Sequence, residues 1–303
     1  MFHVVSSKEK FRRKLTFIGK YYDFISMEEV NESLQKENNK YRCCHLTFDD
    51  GDSSFFKNVF PILKENNIPA SLYVSPKVLY NGTNYWFQEI ENIVFQIGNK
   101  KLIQIICDFT QYKFSIIKSF SLYSILKTLT IFQIQTIIDH VFTQFNIVPI
   151  KNQNLTNTQL RIIAESNLVD IGPHTMNHPI LSNETDEISR YEIEKSIYSL
   201  KPILGAFPKY FAYPNGDPNQ DFGKREKSIL IDNKISIAFS TEFKFYNNET
   251  DPLSVPRIGI VKRDNIPLIF LKIMLIRYWG LLRELFRFRK TEEIERKKLK
   301  LLN

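Results

Sequence analysis

The sequence predicts an α/β fold of parallel strands joined by crossover helices, and three observations carry that expectation. Arg42 to Phe48 is a short β-favouring run that ends abruptly at Asp49-Asp50-Gly51. Ser53 to Asn66 then reads as a helix and Ala70 to Val74 as the next strand, which is one βα repeat followed by another. Parallel strands with crossover helices present binding residues at their carboxyl ends, and Asp49 and Asp50 stand at such an end.

In chain order, Met1 to Val5 is too short for a secretory apolar core and is followed by Lys8, Lys10, Arg12, Arg13 and Lys14. The expectation is therefore an intracellular protein. Phe11, Leu15 and Ile18 give Lys8 to Tyr22 a helical stripe, and Ser26-Met27-Glu28-Glu29-Val30 resembles a capped start to another helix. The three cysteines, Cys43, Cys44 and Cys107, suit a reducing compartment: neighbours on a strand face opposite ways, and an odd count leaves one thiol unpaired. A long stretch from about Tyr80 to Asn154 is rich in Phe, Ile, Tyr, Gln and Lys, with helical spacing around Ile116 to Phe145. Tyr85, Trp86 and Phe87 within it suit either stacking on sugar rings or packing.

Thr156 to about Ser166 reads as a capped helix, and Val169 to Gly172 as a short strand that delivers His174. Glu184 to Leu200 is amphipathic, Lys209 to Ala212 and Ser236 to Ser240 read as strands, and Pro252 to Ile258 closes this part. The division expected is residues 1–264 as one catalytic domain and 265–303 as an appendage.

Two clusters carry chemistry. Adjacent carboxylates repel, so Asp49-Asp50 needs an offset, either a bound cation or the turn and cap bonding usual for Asp before Gly. Successive side chains of an extended segment point opposite ways, which allows one Asp to ligate a metal while the other serves as a base. Far down the chain, His174 and His178 are two of five histidines. Their four-residue spacing lets both imidazoles share a divalent ion with a carboxylate, although paired turn histidines beside Pro173 and Pro179 fit the same pattern.

Thr47-Phe48-Asp49-Asp50-Gly51, His174-Thr175-Met176-Asn177-His178 and Phe211-Ala212-Tyr213-Pro214-Asn215-Gly216 together resemble the first three motifs of the polysaccharide deacetylases, the NodB-homology group of carbohydrate esterases. The segment Pro61 to Ala70 agrees, and the resemblance covers roughly residues 1–262. It implies a distorted (β/α) barrel of the NodB-homology type, and because the family pattern runs more directly from the second strand to the histidine motif, the stretch at about 80–154 is expected as a helical insertion. It implies Asp50, His174 and His178 as ligands of one divalent metal ion, zinc first among the candidates, and Asp49 as the base. A backbone N–H in the Tyr213 to Gly216 turn would meet the oxyanion, with Tyr213 and Asn215 on the substrate side.

Two departures from the family pattern matter. No histidine follows His178, where the family supplies its general acid from a Leu-Xaa-His motif near the C-terminal end of the domain. Phe2-His3-Val4 looks like the acid-bearing segment of a circularly permuted branch, so His3 is the expected acid. Ala212 stands where many relatives have an arginine that orients the base, and Arg257 is the expected substitute.

After Asp264 the chain turns apolar yet carries Lys272, Arg277, Arg283 and Arg287, and no uninterrupted run reaches the roughly 20 residues a bilayer span needs. A basic amphipathic helix with Phe270, Trp279, Leu282, Leu285 and Phe286 suits an anionic membrane surface, or docking on the barrel or a partner. The formal net charge of +8 agrees with an anionic partner, and no nucleic-acid motif accompanies it. The resulting expectation is deacetylation of an N-acetylated sugar or oligosaccharide, lipid-linked or otherwise a surface-glycan precursor, in the cytoplasm at the inner membrane face. The alternatives are a degenerate glycan- or partner-binding module and an O-acetyl esterase.

Overall fold

A computed structural model describes residues 1–35, 42–276 and 290–302. Its short strands are β1 (Asp23–Phe24), β2 (Cys43–Cys44), β3 (Leu46–Phe48), β4 (Ala70–Val74), β5 (Val169–Pro173), β6 (Tyr210–Ala212) and β7 (Ile237–Phe239). The central sheet runs β3-β4-β5, all parallel, with Leu46 opposite Ala70 and Ala70 opposite Val169. β6 pairs with β7, and β1 with β2, again in parallel.

Backbone bonds outside the strands carry the curve onward. The Phe2 N–H donates to Thr47 O at 2.8 Å and the Asp49 N–H to Phe2 O at 3.0 Å, so the first residues lie beside β3. The Ile260 N–H donates to Met1 O at 2.9 Å, and Val255 bridges to Phe239 of β7. On the far side β5 and β6 abut closely at Gly172, where an added Cβ would stand 2.5 Å from Tyr210 O. No ladder joins β5 to β6 among the described residues, which makes this a distorted, open barrel.

The helices follow the sequence pattern where caps and apolar stripes are strong. Ser7 caps α1 (Lys8–Ile18), whose Phe11, Leu15 and Ile18 are buried; α2 (Met27–Gln35) buries Met27, Val30 and Leu34. α3 (Phe60–Asn66) is preceded by a π-helical turn, Phe55–Val59, in place of the uniform helix expected from Ser53. Pro61 supplies no N–H and its ring crowds the carbonyl four residues back, so the ladder slips to a wider turn. The expected strand Arg42 to Phe48 is likewise split at His45. There the chain changes partner from β1 to β4, and the ring is pinned between Ile25 O at 2.7 Å and Ser71 Oγ at 2.7 Å.

Residues 76–145 supply α4 (Pro76–Asn81), α5 (Trp86–Ile97), α6 (Asn99–Asp108), α7 (Phe114–Ile117), α8 (Leu122–Leu126) and α9 (Ile131–Phe145). Their Ile90, Ile93, Leu102, Ile106, Ile125, Ile137 and Val141 form an apolar cluster separate from the one around Leu46, Phe48, Leu63 and Leu72 beneath the sheet. Three helices return to the barrel: α10 (Asn157–Ala164), capped by Thr156, α11 (Asp186–Leu204), capped by Thr185, and α12 (Lys224–Asp232). After α13 (Ile266–Met274), the last described helix is α14 (Lys290–Lys300), whose Leu299 is buried in the insertion's cluster. Arg277, Trp279, Leu282, Arg283, Leu285, Phe286 and Arg287 of the expected amphipathic helix lie outside the described residues. Among the described residues no helix is long and apolar enough to cross a membrane. All three cysteines are half-buried, and none is in a disulfide.

Candidate active site

Asp50 and His174 stand just beyond the carboxyl ends of β3 and β5, and His178 follows one tight turn later. Both turns need left-handed backbone: φ is 70° at Asp50 and 64° at Gly51, then 61° at Thr175 and 58° at His178. Gly51 meets this at no steric cost, but non-glycine residues there store strain, which persists only where the surroundings impose it. The surroundings do so here. Tyr85 Oη donates to Asp50 O at 2.6 Å, Trp86 Nε1 to His178 O at 2.8 Å, Ser75 Oγ to His174 O at 2.8 Å, and the His178 N–H to Thr175 Oγ1 at 3.1 Å.

His174 Nδ1 lies 2.6 Å from Ala212 O. A carbonyl only accepts, so Nδ1 carries the proton and Nε2 presents a bare lone pair. That Nε2 is 3.6 Å from Asp50 Oδ1, and His178 Nε2 is 3.4 Å from the same oxygen. Asp50 Oδ1 is buried without a hydrogen-bond partner, and the three candidate ligand atoms lie within 4.8 Å of one another. A buried carboxylate oxygen with no donor, facing an imidazole that has its proton turned away, is a donor set suited to a divalent cation. Burial pulls His174 down to about 4, against the pull of Asp49, so the ring is neutral at pH 7. Burial acts to raise Asp50, but His178, His3 and His174 outweigh it and hold the carboxyl well below the ordinary range.

Asp49 points the other way, as alternation along the strand requires. Its Oδ1 and Oδ2 each accept from Arg257, from Nη1 and Nη2 at 2.8 Å, with side chains 2% and 4% exposed. Arg257 is itself fixed by Nε donating to Ser240 O at 3.0 Å and by the Phe239 ring beneath it at 5.5 Å. Burial would raise Asp49; the guanidinium, aided by His174 and His3, prevails and keeps it ionised. Arg257 therefore stands beside Asp49, where the sequence reading expected it, although it arrives from a different segment than the motif arginine.

His3 Nε2 sits 3.9 Å from Asp50 Oδ2, on a ring 43% exposed, because Phe2 is locked beside β3 with its ring stacked 5.3 Å from Phe48. In the third-motif turn the donors can be accounted for one by one. The Tyr213 N–H goes to Phe239 O, the Gly216 N–H to Pro214 O, and Pro214 has none. Among the described residues the Asn215 N–H, on a residue at φ 58°, donates to no protein acceptor. The Tyr213 hydroxyl donates to Leu253 O at 3.0 Å, so that side chain braces the turn.

Of these braces, Tyr85 and Trp86 take the packing alternative that the sequence left open, and Ser75 carried no signal in the sequence. Tyr85 and Trp86 are only 2% and 7% exposed, so they hold the loops of Asp50 and His178 and offer no face to a sugar ring. His45 and His140 lie elsewhere: the first is saturated by Ile25 and Ser71, and the second packs on Phe109 in the insertion.

A family model described as polysaccharide deacetylase matches residues 36–100 and 123–232, more than half of the chain. No curated protein matches at the sequence level. Among solved structures, the chain is similar to the Streptococcus pyogenes deacetylase PplD in complex with acetate, at 18% identity and TM-score 0.58 over 89% of this chain and 93% of that one. It is similar to IcaB from Ammonifex degensii at 17% identity and TM-score 0.57, covering 88% and 92%, and to a de-N-acetylase from Aggregatibacter actinomycetemcomitans at 15% and 0.57, covering 89% and 96%. At such identities these likenesses speak for the fold.

Proposed function

The chain belongs to the polysaccharide deacetylase family, and on that premise we propose that it hydrolyses the N-acetyl group of a sugar within an oligosaccharide, using one divalent metal ion. The observation that carries the reading is the juxtaposition of the Asp50, His174 and His178 ligand atoms with an ionised, Arg257-clamped Asp49. When bound, the ion would supply Lewis acidity toward the acetyl carbonyl and toward a water. Zinc suits a two-imidazole, one-carboxylate set, and other divalent ions are admissible by the same donors.

The chain's own residues do the rest. Asp49 takes a proton from the attacking water as the water oxygen bonds to the carbonyl carbon. The Asn215 N–H is the free donor for the charge that develops on the carbonyl oxygen. The C–N bond then breaks, and His3 supplies the proton that the departing nitrogen needs, giving acetate and an amine. A groove of about 1030 Å³ lies between the insertion and α11, lined by Phe132, Phe142, Asn177, Glu184 and Tyr191 and by none of the proposed ligand or catalytic residues.

The exposed apolar residues Leu268, Phe270, Leu271 and Met274 of α13 support the finer reading that the substrate is lipid-linked and met in the cytoplasm at the inner membrane face. A second reading, hydrolysis of an O-acetyl ester, draws on the exposure of His3, since an ester leaving group depends less on a strong acid. The test is metal content and acetate release from N-acetylated oligosaccharides, comparing the wild type with Asp50→Ala. Stoichiometric metal with acetate release, both lost in the variant, supports the proposal. Metal without acetate release from amide or ester removes the catalytic reading, and no metal at all removes the ligand assignment.

A further inference from the structure

We propose that Arg296, on the C-terminal helix α14 and beyond the residues matched by the family model, is a positioning residue that acts on the third-motif turn through Asp221. This rests on the deacetylase reading for its kinetic consequence, though not for its structural one.

Asp221 is a hub with its two oxygens assigned to different masters. Oδ2 accepts from Asn215 Nδ2 at 2.5 Å and from the Asp217 N–H at 2.7 Å, which fixes both flanks of Gly216. Oδ1 accepts from Arg296 Nη2 at 2.6 Å, with both side chains at most 1% exposed. Asn215 stands at φ 58° and Gly216 at 68°, so the turn is held in a conformation that its non-glycine member adopts at a cost. The same turn carries the one amide, that of Asn215, left without a protein acceptor among the described residues. Its direction is set by the side-chain bond to Asp221 on one side and by Thr241 Oγ1 donating to Asn215 O at 2.7 Å on the other.

Arg296 is not a loosely held surface charge. Its helix is fastened to the insertion by Leu299, fully buried there, by the Lys127 to Glu292 ion pair at 2.7 Å, and by the Ser121 N–H donating to Glu295 Oε2 at 3.2 Å. The Arg296 Nε is buried without a partner, so the side chain gives up one hydrogen bond to reach Asp221. Burial pushes the Asp221 carboxyl up, and the guanidinium is the largest influence opposing that. Without Arg296, a carboxylate this deep either takes a proton or moves toward water. Protonation weakens the acceptor that Asn215 and the Asp217 amide share, and movement takes it away from them.

The experiment uses the full-length, metal-loaded chain and the variants Arg296→Lys and Arg296→Met, with Asn215→Ala and the double variants. An N-acetylated hexosamine oligomer is the kinetic probe, and hydrogen exchange of peptides spanning 210–223 and 170–180 is the structural one. Expected for Arg296→Met are a kcat lower by about 10²-fold, the scale of a misplaced oxyanion donor, and a KM within about threefold of wild type. Metal content stays unchanged, exchange rises about tenfold in 210–223 only, and Arg296→Lys recovers part of the loss. Adding Asn215→Ala to Arg296→Met costs little further.

Wild-type kcat with unchanged exchange in 210–223 overturns the proposal, as does a loss that multiplies fully with that of Asn215→Ala or exchange rising throughout the chain. If Arg296→Met does not fold, the Lys variant alone decides by the same readouts. If the wild type releases no acetate, the deacetylase reading has failed while the exchange data still decide whether Arg296 holds the turn.

Discussion

Replacing Arg257 by Met should expose how much of the site's stability depends on one buried ion pair. The side chains of Arg257 and Asp49 are 4% and 2% exposed and meet in two parallel bonds of 2.8 Å. They therefore fall in the buried regime, where deleting one partner costs about 3–5 kcal/mol, unlike an exposed pair worth about 0–1 kcal/mol. The freed Ser240 O adds up to about 1 kcal/mol. A loss near 4 kcal/mol corresponds to a fall in Tm on the order of 10 °C for a chain of this size.

The pH dependence has a definite sign. In the wild type the folded pKa of Asp49 is lowered, so its contribution is present above the unfolded value and is lost as pH falls through the folded one. In Arg257→Met burial dominates and raises that pKa above the unfolded value. The folded variant then binds a proton the unfolded chain does not, and its deficit shrinks as pH falls. Urea unfolding followed by circular dichroism at several pH values measures this, with Asp49→Asn made in both backgrounds. A loss below about 1 kcal/mol, or Asp49→Asn costing as much in the Arg257→Met background as in the wild type, would refute the reasoning.

Other outcomes follow from single contacts. His178→Ala should remove most of the metal measured by elemental analysis while leaving the fold intact, because the ring's Nδ1 has no protein partner among the described residues and its Nε2 faces Asp50. His3→Ala should lower amide turnover by about 10²-fold or more and ester turnover by much less, and equal losses for both substrates would remove His3 as the acid. Burial raises Glu184 to about 7, so its folded form holds a proton that the unfolded chain releases near 4.5, and stability falls as pH rises between the two. Glu184→Gln, which keeps an acceptor for the Ile131 N–H, should gain about 1–2 kcal/mol above pH 7 in thermal or urea unfolding and little at pH 4, solvent in the adjoining groove reducing the full shift. Gly172→Ala should cost about 1–3 kcal/mol in the same assays, since its methyl would meet Tyr210 O at 2.5 Å and the Tyr73 ring at 2.6 Å.

The parts of this molecule that could be read in the sequence are those in which chemistry is local. Strand runs ending in Asp49-Asp50-Gly51 and Gly172-Pro173-His174, and caps such as Thr156 with Gln159, announce themselves within a few residues, and the structure has β3, β5 and α10 there. Where the signal was average over a longer span, the details moved. Arg42 to Phe48 gave no sign that His45 would mark a change of strand partner, and the helical stripe of Ser53 to Asn66 hid the consequence of Pro61 for the turn before it.

Contacts of high sequence separation were legible only where a motif pointed to them. Asp49 and Arg257 are 208 residues apart, and what points to Arg257 is the absence of an arginine at Ala212. Arg296 had no such pointer. It stands among Glu293, Glu295, Lys297 and Lys298, and a helix with that composition reads as a solvated face, because charge pairs at helical spacing are common on surfaces. What distinguishes it is the burial of its partner. Asp221 lies in a Gly-, Pro- and Asn-rich loop where an aspartate normally caps its own turn, and it does so here through the Asp217 amide. Only the fold shows that its second oxygen faces inward, at a depth where a carboxylate requires a cation from some other part of the chain. The C-terminal region thus bears on the site through a charge balance that no window of sequence contains, and substitutions in α14 are expected to sort by contact with Asp221 rather than by helix propensity.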